Sequence, residues 1–212
     1  MTKTQTFRSE IAIVDRVSLP TFSGIRVMMM PFLVHDPRGS LPRDLDGYLP
    51  VLAMACQHAG RRGTGYVTID EAHVSAGQTH RRPGLHVDGV GGWGAQGSWG
   101  AQGWYTTSSH YGCDAWAQSF DGVPGSDGGC EHLRAQCRVT ALVPLRPGVL
   151  YELNPLAVHV ARPMSSATRR QFLRVSMPSS APWFDGYTRN PRGIEPGGPV
   201  MPRRTAEMDY RA

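Results

Sequence analysis

Lysine is almost missing from this chain of 212 residues. Lys3 is the only one, so its net charge of +5 is carried by arginine. Such a balance attracts phosphate or anionic metabolites, and it is equally what an arginine-favouring codon usage produces. The pairs Arg61-Arg62, Arg81-Arg82 and Arg203-Arg204 are too scattered to make a nucleic-acid-binding motif. Cysteine is scarce as well. Cys56, Cys113, Cys130 and Cys137 show neither C-x-x-C spacing nor a dense disulfide pattern, which excludes a cysteine-built zinc site and points to reduced thiols. Long apolar runs are also missing. None approaches the ~20 residues of a membrane span, and residues 1–10 are polar, without the apolar stretch of a signal peptide. The expectation is a soluble, cytoplasmic protein without a membrane partner. Nothing in the sequence sets an oligomeric state.

What is abundant is glycine and proline. Together they number 42, with 25 glycines and 17 prolines, and this favours many short strands and turns over a helical bundle. No break in composition divides the chain, so residues 1–212 read as a single domain. Apolar, β-branched runs at 10–19 and 25–34 predict a strand pair. Over 44–58, Leu45, Tyr48, Leu49, Leu52 and Cys56 recur at helical spacing. Gly60 stands where a C-terminal cap belongs, and Pro50 delays the start. Short strands are then predicted at 65–74, 84–88, 104–109, 138–144, 149–153, 157–161 and 171–177. Many short strands behind one N-terminal helix suggest a mainly β fold, a sandwich or a double-stranded jelly roll.

A repeated pentapeptide, Trp93-Gly94-Ala95-Gln96-Gly97 and then Trp99-Gly100-Ala101-Gln102-Gly103, falls in a glycine-dense stretch that reads as a long loop. The proline-rich residues 178–212 read as an irregular wrap or a partly ordered tail.

Chemistry enters with His86-Val87-Asp88. The two polar side chains are two positions apart on a strand candidate, so both occupy one face. His159 lies on a later strand, with Ala157 and Ala161 on its own face and Val158 and Val160 on the other. Two imidazoles and a carboxylate make up the facial triad of a non-haem Fe(II) site, which keeps coordination positions open. A structural zinc site would need a fourth ligand that is not evident here. On the strand 171–177, Phe172, Arg174 and Ser176 share a face, and Arg170 continues it. A guanidinium grips a carboxylate bidentately and a hydroxyl two residues away adds a third contact, so Arg174 and Ser176 form a carboxylate clamp.

In that order, His86-x-Asp88, His159, Arg174-x-Ser176 resembles the Fe(II)/2-oxoglutarate-dependent dioxygenases, over roughly residues 66–177. The arginines stand 11 and 15 residues after His159. This spacing is similar to that of the taurine dioxygenase group, where two arginines share the cosubstrate, while the single Arg-x-Ser is also similar to the methylcytosine oxygenases. The resemblance implies a double-stranded β-helix with its catalytic core at about 66–177. It implies Fe(II) on His86, Asp88 and His159, with the far carboxylate of 2-oxoglutarate on Arg174, aided by Ser176 and Arg170. It further implies hydroxylation of a C–H bond, with succinate and carbon dioxide as coproducts. A small metabolite is the expected substrate and a nucleobase in DNA or RNA the alternative. Trp93, Trp99 and Trp104 are candidate lid or stacking residues, and Arg82, with His80, is a candidate contact for an anionic substrate. Two rivals stand beside this reading: a cupin-type metal enzyme without 2-oxoglutarate, and a non-catalytic β-sandwich binding module with structural histidines.

Overall fold

The computed structural model describes residues 5–88, 103–178 and 182–202. It is mainly β. The described residues form thirteen strands: β1 (Thr6–Ser9), β2 (Ile11–Arg16), β3 (Arg26–Leu33), β4 (Thr64–Val74), β5 (Trp104–Ser108), β6 (Cys113–Trp116), β7 (Gln118–Asp121), β8 (Leu142–Pro144), β9 (Val149–Leu153), β10 (Val158–Ala161), β11 (Thr168–Ser176), β12 (Trp183–Phe184) and β13 (Val200–Met201). The helical part is small. A single turn, α1 (Pro37–Ser40), and a 3-10 segment at Arg43–Tyr48 lead into α2 (Leu49–Ala59). Pro50 is accommodated in the first turn of α2, where no amide donor is needed, and Gly60 closes the helix at φ 60. No helix among the described residues is long and apolar enough to cross a membrane.

Six strands form an antiparallel sheet in the order β2-β9-β5-β11-β4-β3, and three form a smaller one in the order β10-β6-β8. His86 adds a single bridge to the outer edge of β10, opposite His159. The chain therefore alternates between the sheets. β4 is in the large one, His86 in the small, β5 in the large, β6 and β8 in the small, β9 in the large, β10 in the small and β11 in the large.

Period-2 facing separates the cores. Outward residues of the large sheet, among them Val67, Ile69, Leu173 and Val175, pack with Leu45, Leu49, Leu52 and Ala55 of the helical segment. Outward residues around the small sheet, Leu85, Val87, Val158 and Val160, pack with Trp116, Phe120 and Leu133. Between the sheets, Trp104, Tyr151 and Leu153 of the large one meet Ala115 of the small one, with Leu145 and Ala157. Inward positions of β11, β10 and the His86 bridge thus all face one interior.

Several elements differ from the sequence expectation. The predicted strand at 84–88 is reduced to the bridge at His86, and that at 138–144 to β8, because a 3-10 turn at Val139–Ala141 takes up its first half. β1, β6 and β7 were not anticipated. Residues 182–202 do wrap the molecule, fastened where the Trp183 indole donates to the Met29 carbonyl and Asn190 donates to the Pro31 and Ser40 carbonyls.

Candidate metal centre and cavity

The backbone brings the two histidines together. His86 and His159 are a hydrogen-bonded antiparallel pair, each N–H donating to the other's carbonyl at 2.9 Å, so their side chains emerge side by side on the inner face. Their ring centroids are 4.3 Å apart. Asp88, two residues on, shares that face. Its Oδ1 lies 3.7 Å from His86 Nε2, and its Oδ2 lies 3.8 Å from His159 Nε2. One ligand atom from each of the three falls within 4.8 Å of the others, a group that can hold a metal ion.

The tautomers are set by the main chain. His86 Nδ1 is 2.8 Å from the Gly84 carbonyl and His159 Nδ1 is 2.9 Å from the Ala157 carbonyl. With Nδ1–H donating to a carbonyl, each ring turns the lone pair of Nε2 toward Asp88, as metal-ligating histidines do. Gly84 has φ 79, a turn that a side chain would strain, and this turn sets its carbonyl against His86. Burial, and then the neighbouring His159, lowers the His86 pKa to about 4, so the ring is neutral and able to ligate at neutral pH. Burial alone would raise the Asp88 carboxyl, but Arg174, His159 and His86 outweigh it and hold it ionised, well below the usual carboxylate range.

Arg174 and Arg170 behave differently, and here the structure departs from the sequence expectation. Arg174 Nη1 donates to Asp88 Oδ2 at 2.7 Å, and its Nη2 meets the Met29 sulfur at 3.7 Å. The residue expected to be the principal carboxylate clamp is thus already engaged with the acidic member of the triad. Ser176, its supposed helper, is buried between Tyr66 and Trp104 in the strand register and does not line the cavity. Arg170 is only 2% exposed, yet its Nε and Nη1 are buried without a hydrogen-bond partner. Burial lowers its pKa to about 10. A buried cation without a counter-anion is costly and marks a place where one is expected to arrive.

Asp88, His159, Arg174 and Arg170 all line one cavity that is partly open to solvent. Its walls include Trp104, Leu145, Tyr151, Leu153 and Phe172. Trp104 is 4% exposed and its ring centroid lies 6.5 Å from that of His159, so it is a fixed wall of the cavity and not a lid. Strand parity explains this, since Trp104 opens β5 in register with Ser176. Trp93 and Trp99, with the repeat that contains them, lie outside the described residues. Arg82 does not line the cavity. It donates from Nη2 to Asp127 Oδ2 and from Nη1 to the Asp127 carbonyl, both at 2.8 Å, and so pins the neighbouring loop.

Sequence reasoning missed Met29 and Arg81. A shift in register within β3 puts Met29 at φ 48, a bulge that turns its sulfur onto Arg174. A bulge of this kind leaves no mark in the apolar run Met28-Met29-Met30. Arg81 spans Asp70 and the Phe172 ring, and only the strand register brings Asp70 opposite Phe172. Comparison with protein-family models, with curated proteins and with solved structures finds no match to the chain. What the site does must therefore be argued from its own atoms.

Proposed function

We propose that the chain is a non-haem Fe(II) dioxygenase that uses 2-oxoglutarate to oxidise a C–H bond of a small molecule, hydroxylation being the default outcome. In this reading the two sheets form a double-stranded β-helix, and the repeated crossing of the chain between them, through β4, His86, β5, β6 and β8, β9, β10 and β11, supports it.

The donor set fits the metal. Two imidazoles fixed through Nδ1 and one ionised carboxylate are what Fe(II) takes in a facial triad, and no fourth His, Cys, Asp or Glu joins the group among the described residues. Such a shell leaves positions for cosubstrate and oxygen. Bound Fe(II) with 2-oxoglutarate supplies the oxidising power, as decarboxylation to succinate and carbon dioxide accompanies substrate oxidation.

The chain's own residues do the rest. Arg174 neutralises and orients Asp88. Arg170 receives the far carboxylate of the cosubstrate through the donors that the fold leaves unpaired. Trp104, Leu145, Tyr151 and Leu153 keep water from the space between. The single observation that carries this reading is the buried Arg170 guanidinium, with Nε and Nη1 left without a hydrogen-bond partner, in the same cavity as Asp88 and His159. A metal enzyme working without an anionic cosubstrate has no use for it, and in a β-sandwich binding module with structural histidines neither the triad nor the arginine would be explained.

The test is anaerobic titration of the full-length protein with Fe(II) and then 2-oxoglutarate, followed by the metal-to-ligand charge-transfer band. One iron per chain and a saturable band that needs 2-oxoglutarate are expected, with slow succinate formation on admitting oxygen. Failure to bind iron, or an iron complex indifferent to 2-oxoglutarate, would refute the assignment.

A further inference from the structure

A second cationic group stands beside the triad, centred on Asp70 of β4. Asp70 is 4% exposed and faces inward opposite Phe172. Its Oδ1 accepts from Arg26 Nε at 3.0 Å and its Oδ2 from Arg81 Nη1 at 2.9 Å. His80 Nε2 lies 3.4 Å from the same Oδ2 outside hydrogen-bonding geometry, which leaves both of its ring nitrogens buried and without a hydrogen-bond partner. The Arg81 guanidinium lies 4.8 Å from the centroid of the Phe172 ring, and that of Arg170 lies 5.9 Å from it. The two arginines nevertheless belong to different neighbourhoods. Arg170 reaches Gly112 and lines the cavity with β5 and β9 residues, whereas Arg81 sits on the β4 side and does not line it.

Counting charge shows what this group is short of. Leaving aside Arg26, which is half exposed, Arg81, Arg170 and Arg174 bring three positive charges and Asp70 and Asp88 two negative ones, a surplus of one. A divalent cation on the triad and the 2-oxoglutarate dianion cancel, so the surplus survives loading. Arg81 also spends only Nη1 on Asp70, and the rest of its planar fork makes no other hydrogen bond among the described residues. A guanidinium clamped at one end by a buried carboxylate and backed by an aromatic ring is held for bidentate contact with an oxyanion.

We infer that the substrate of the proposed oxygenase is a small organic anion, a carboxylate, sulfonate or phosphate ester, and that Arg81 docks its charged end with His80 beside it. The inference rests on the functional reading above for the word substrate, but not for the anion site. The surplus of charge and the open fork are already there without metal.

The probes are butanoate, propyl phosphate and the neutral butanamide. They are titrated calorimetrically into the full-length protein, both metal-free and anaerobically loaded with Fe(II) and 2-oxoglutarate. Both anions are expected to bind about tenfold or more tightly than the amide, the scale of one charge-assisted contact. Arg81→Gln should abolish that preference, and Arg81→Lys should keep part of it. Neither should change the Fe(II) or 2-oxoglutarate titration. Equal binding of amide and anions, no binding of either anion at millimolar concentration, or a preference that survives Arg81→Gln would overturn the inference. Failure of the 2-oxoglutarate titration in wild-type protein would overturn the functional reading instead, and the metal-free titrations would still decide the role of Arg81.

Discussion

Replacing Arg170 with Met separates a binding arginine from a structural one, because the two roles predict opposite signs. In the ligand-free protein the guanidinium is 2% exposed, lacks partners at Nε and Nη1, and is pushed down by burial to a pKa of about 10, more than two units below its ordinary value. At ~1.4 kcal/mol per pKa unit, that depression is a destabilisation on the order of 3 kcal/mol carried by the native fold. Arg170→Met removes the charge while keeping most of the volume, so the ligand-free protein should be equally or more resistant to urea. The 2-oxoglutarate complex should suffer. A carboxylate left in a buried pocket without its cation loses roughly 2–5 kcal/mol, a weakening of about 30-fold or more. 2-Oxobutanoate, which lacks the far carboxylate, should bind wild type and Arg170→Met alike. The assay pairs urea midpoints with anaerobic titrations of both oxoacids on the Fe(II) form. An Arg170→Met protein that unfolds several kcal/mol more easily, yet binds 2-oxoglutarate normally, would show the arginine to be structural. Loss of 2-oxoglutarate binding in Arg174→Met but not in Arg170→Met would restore the assignment made from sequence spacing.

Three further outcomes are expected. His86→Ala or His159→Ala should abolish stoichiometric Fe(II) binding measured under anaerobic conditions, since each removes one of three ligands; wild-type affinity in both would rule out the triad. His86 has a folded pKa near 4, depressed from 6.5 in the unfolded chain. Its contribution is therefore complete above pH 6.5 and is lost as the pH falls toward 4, by about 3 kcal/mol in all. Urea midpoints of the metal-free protein should drop across that window, and a His86→Gln variant should flatten the curve; identical curves would refute the cause. Glu71 is 2% exposed and accepts from the backbone amides of Ser23, Gly24 and Ile25, the Tyr48 hydroxyl and the Gln171 amide. Glu71→Ala strands these donors and should destabilise by about 3 kcal/mol or more without changing the metal titration of the folded fraction; a midpoint within error of wild type would dismiss the network.

Alternation made much of the interior readable. The facing of 157–161 and of Phe172, Arg174 and Ser176 follows from period 2 once a strand is granted, and Val158, Val160, Leu173 and Val175 do pack on the outer sides. The helix stop at Gly60 was equally local. What escaped was whatever depends on register between distant strands. β6 is four residues, Cys113–Trp116, too short to show a period, yet it carries the centre of the small sheet. Trp104 opens a strand that the sequence shows, yet its place as a cavity wall is visible only once its pairing with β11 is known. Parity puts Arg170 and Arg174 on the same face and cannot rank them. The ranking comes from a contact between residues 86 positions apart, Arg174 with Asp88, and from the absence of any comparable partner for Arg170 among the described residues.

That contact assigns Arg174 a task tied to the metal. Asp88 is held ionised inside the protein, and the Arg174 guanidinium donates to it at 2.7 Å. Arg174 thus stands in for part of the metal's charge and keeps Asp88 ionised and aimed before any ion arrives. Arg174→Met should then destabilise the metal-free protein by about 2–3 kcal/mol, the lower range for breaking a partly buried pair, as the Asp88 side chain is 26% exposed. Once Fe(II) occupies the triad the carboxylate has a cation again, so the difference between wild type and variant should shrink. By linkage, Fe(II) should then bind the variant at least as tightly as the wild type. Urea midpoints of both proteins, measured anaerobically with and without saturating Fe(II), decide the matter. A deficit of the same size in both states would mean that Arg174 serves packing against Met29 and not the charge of the centre.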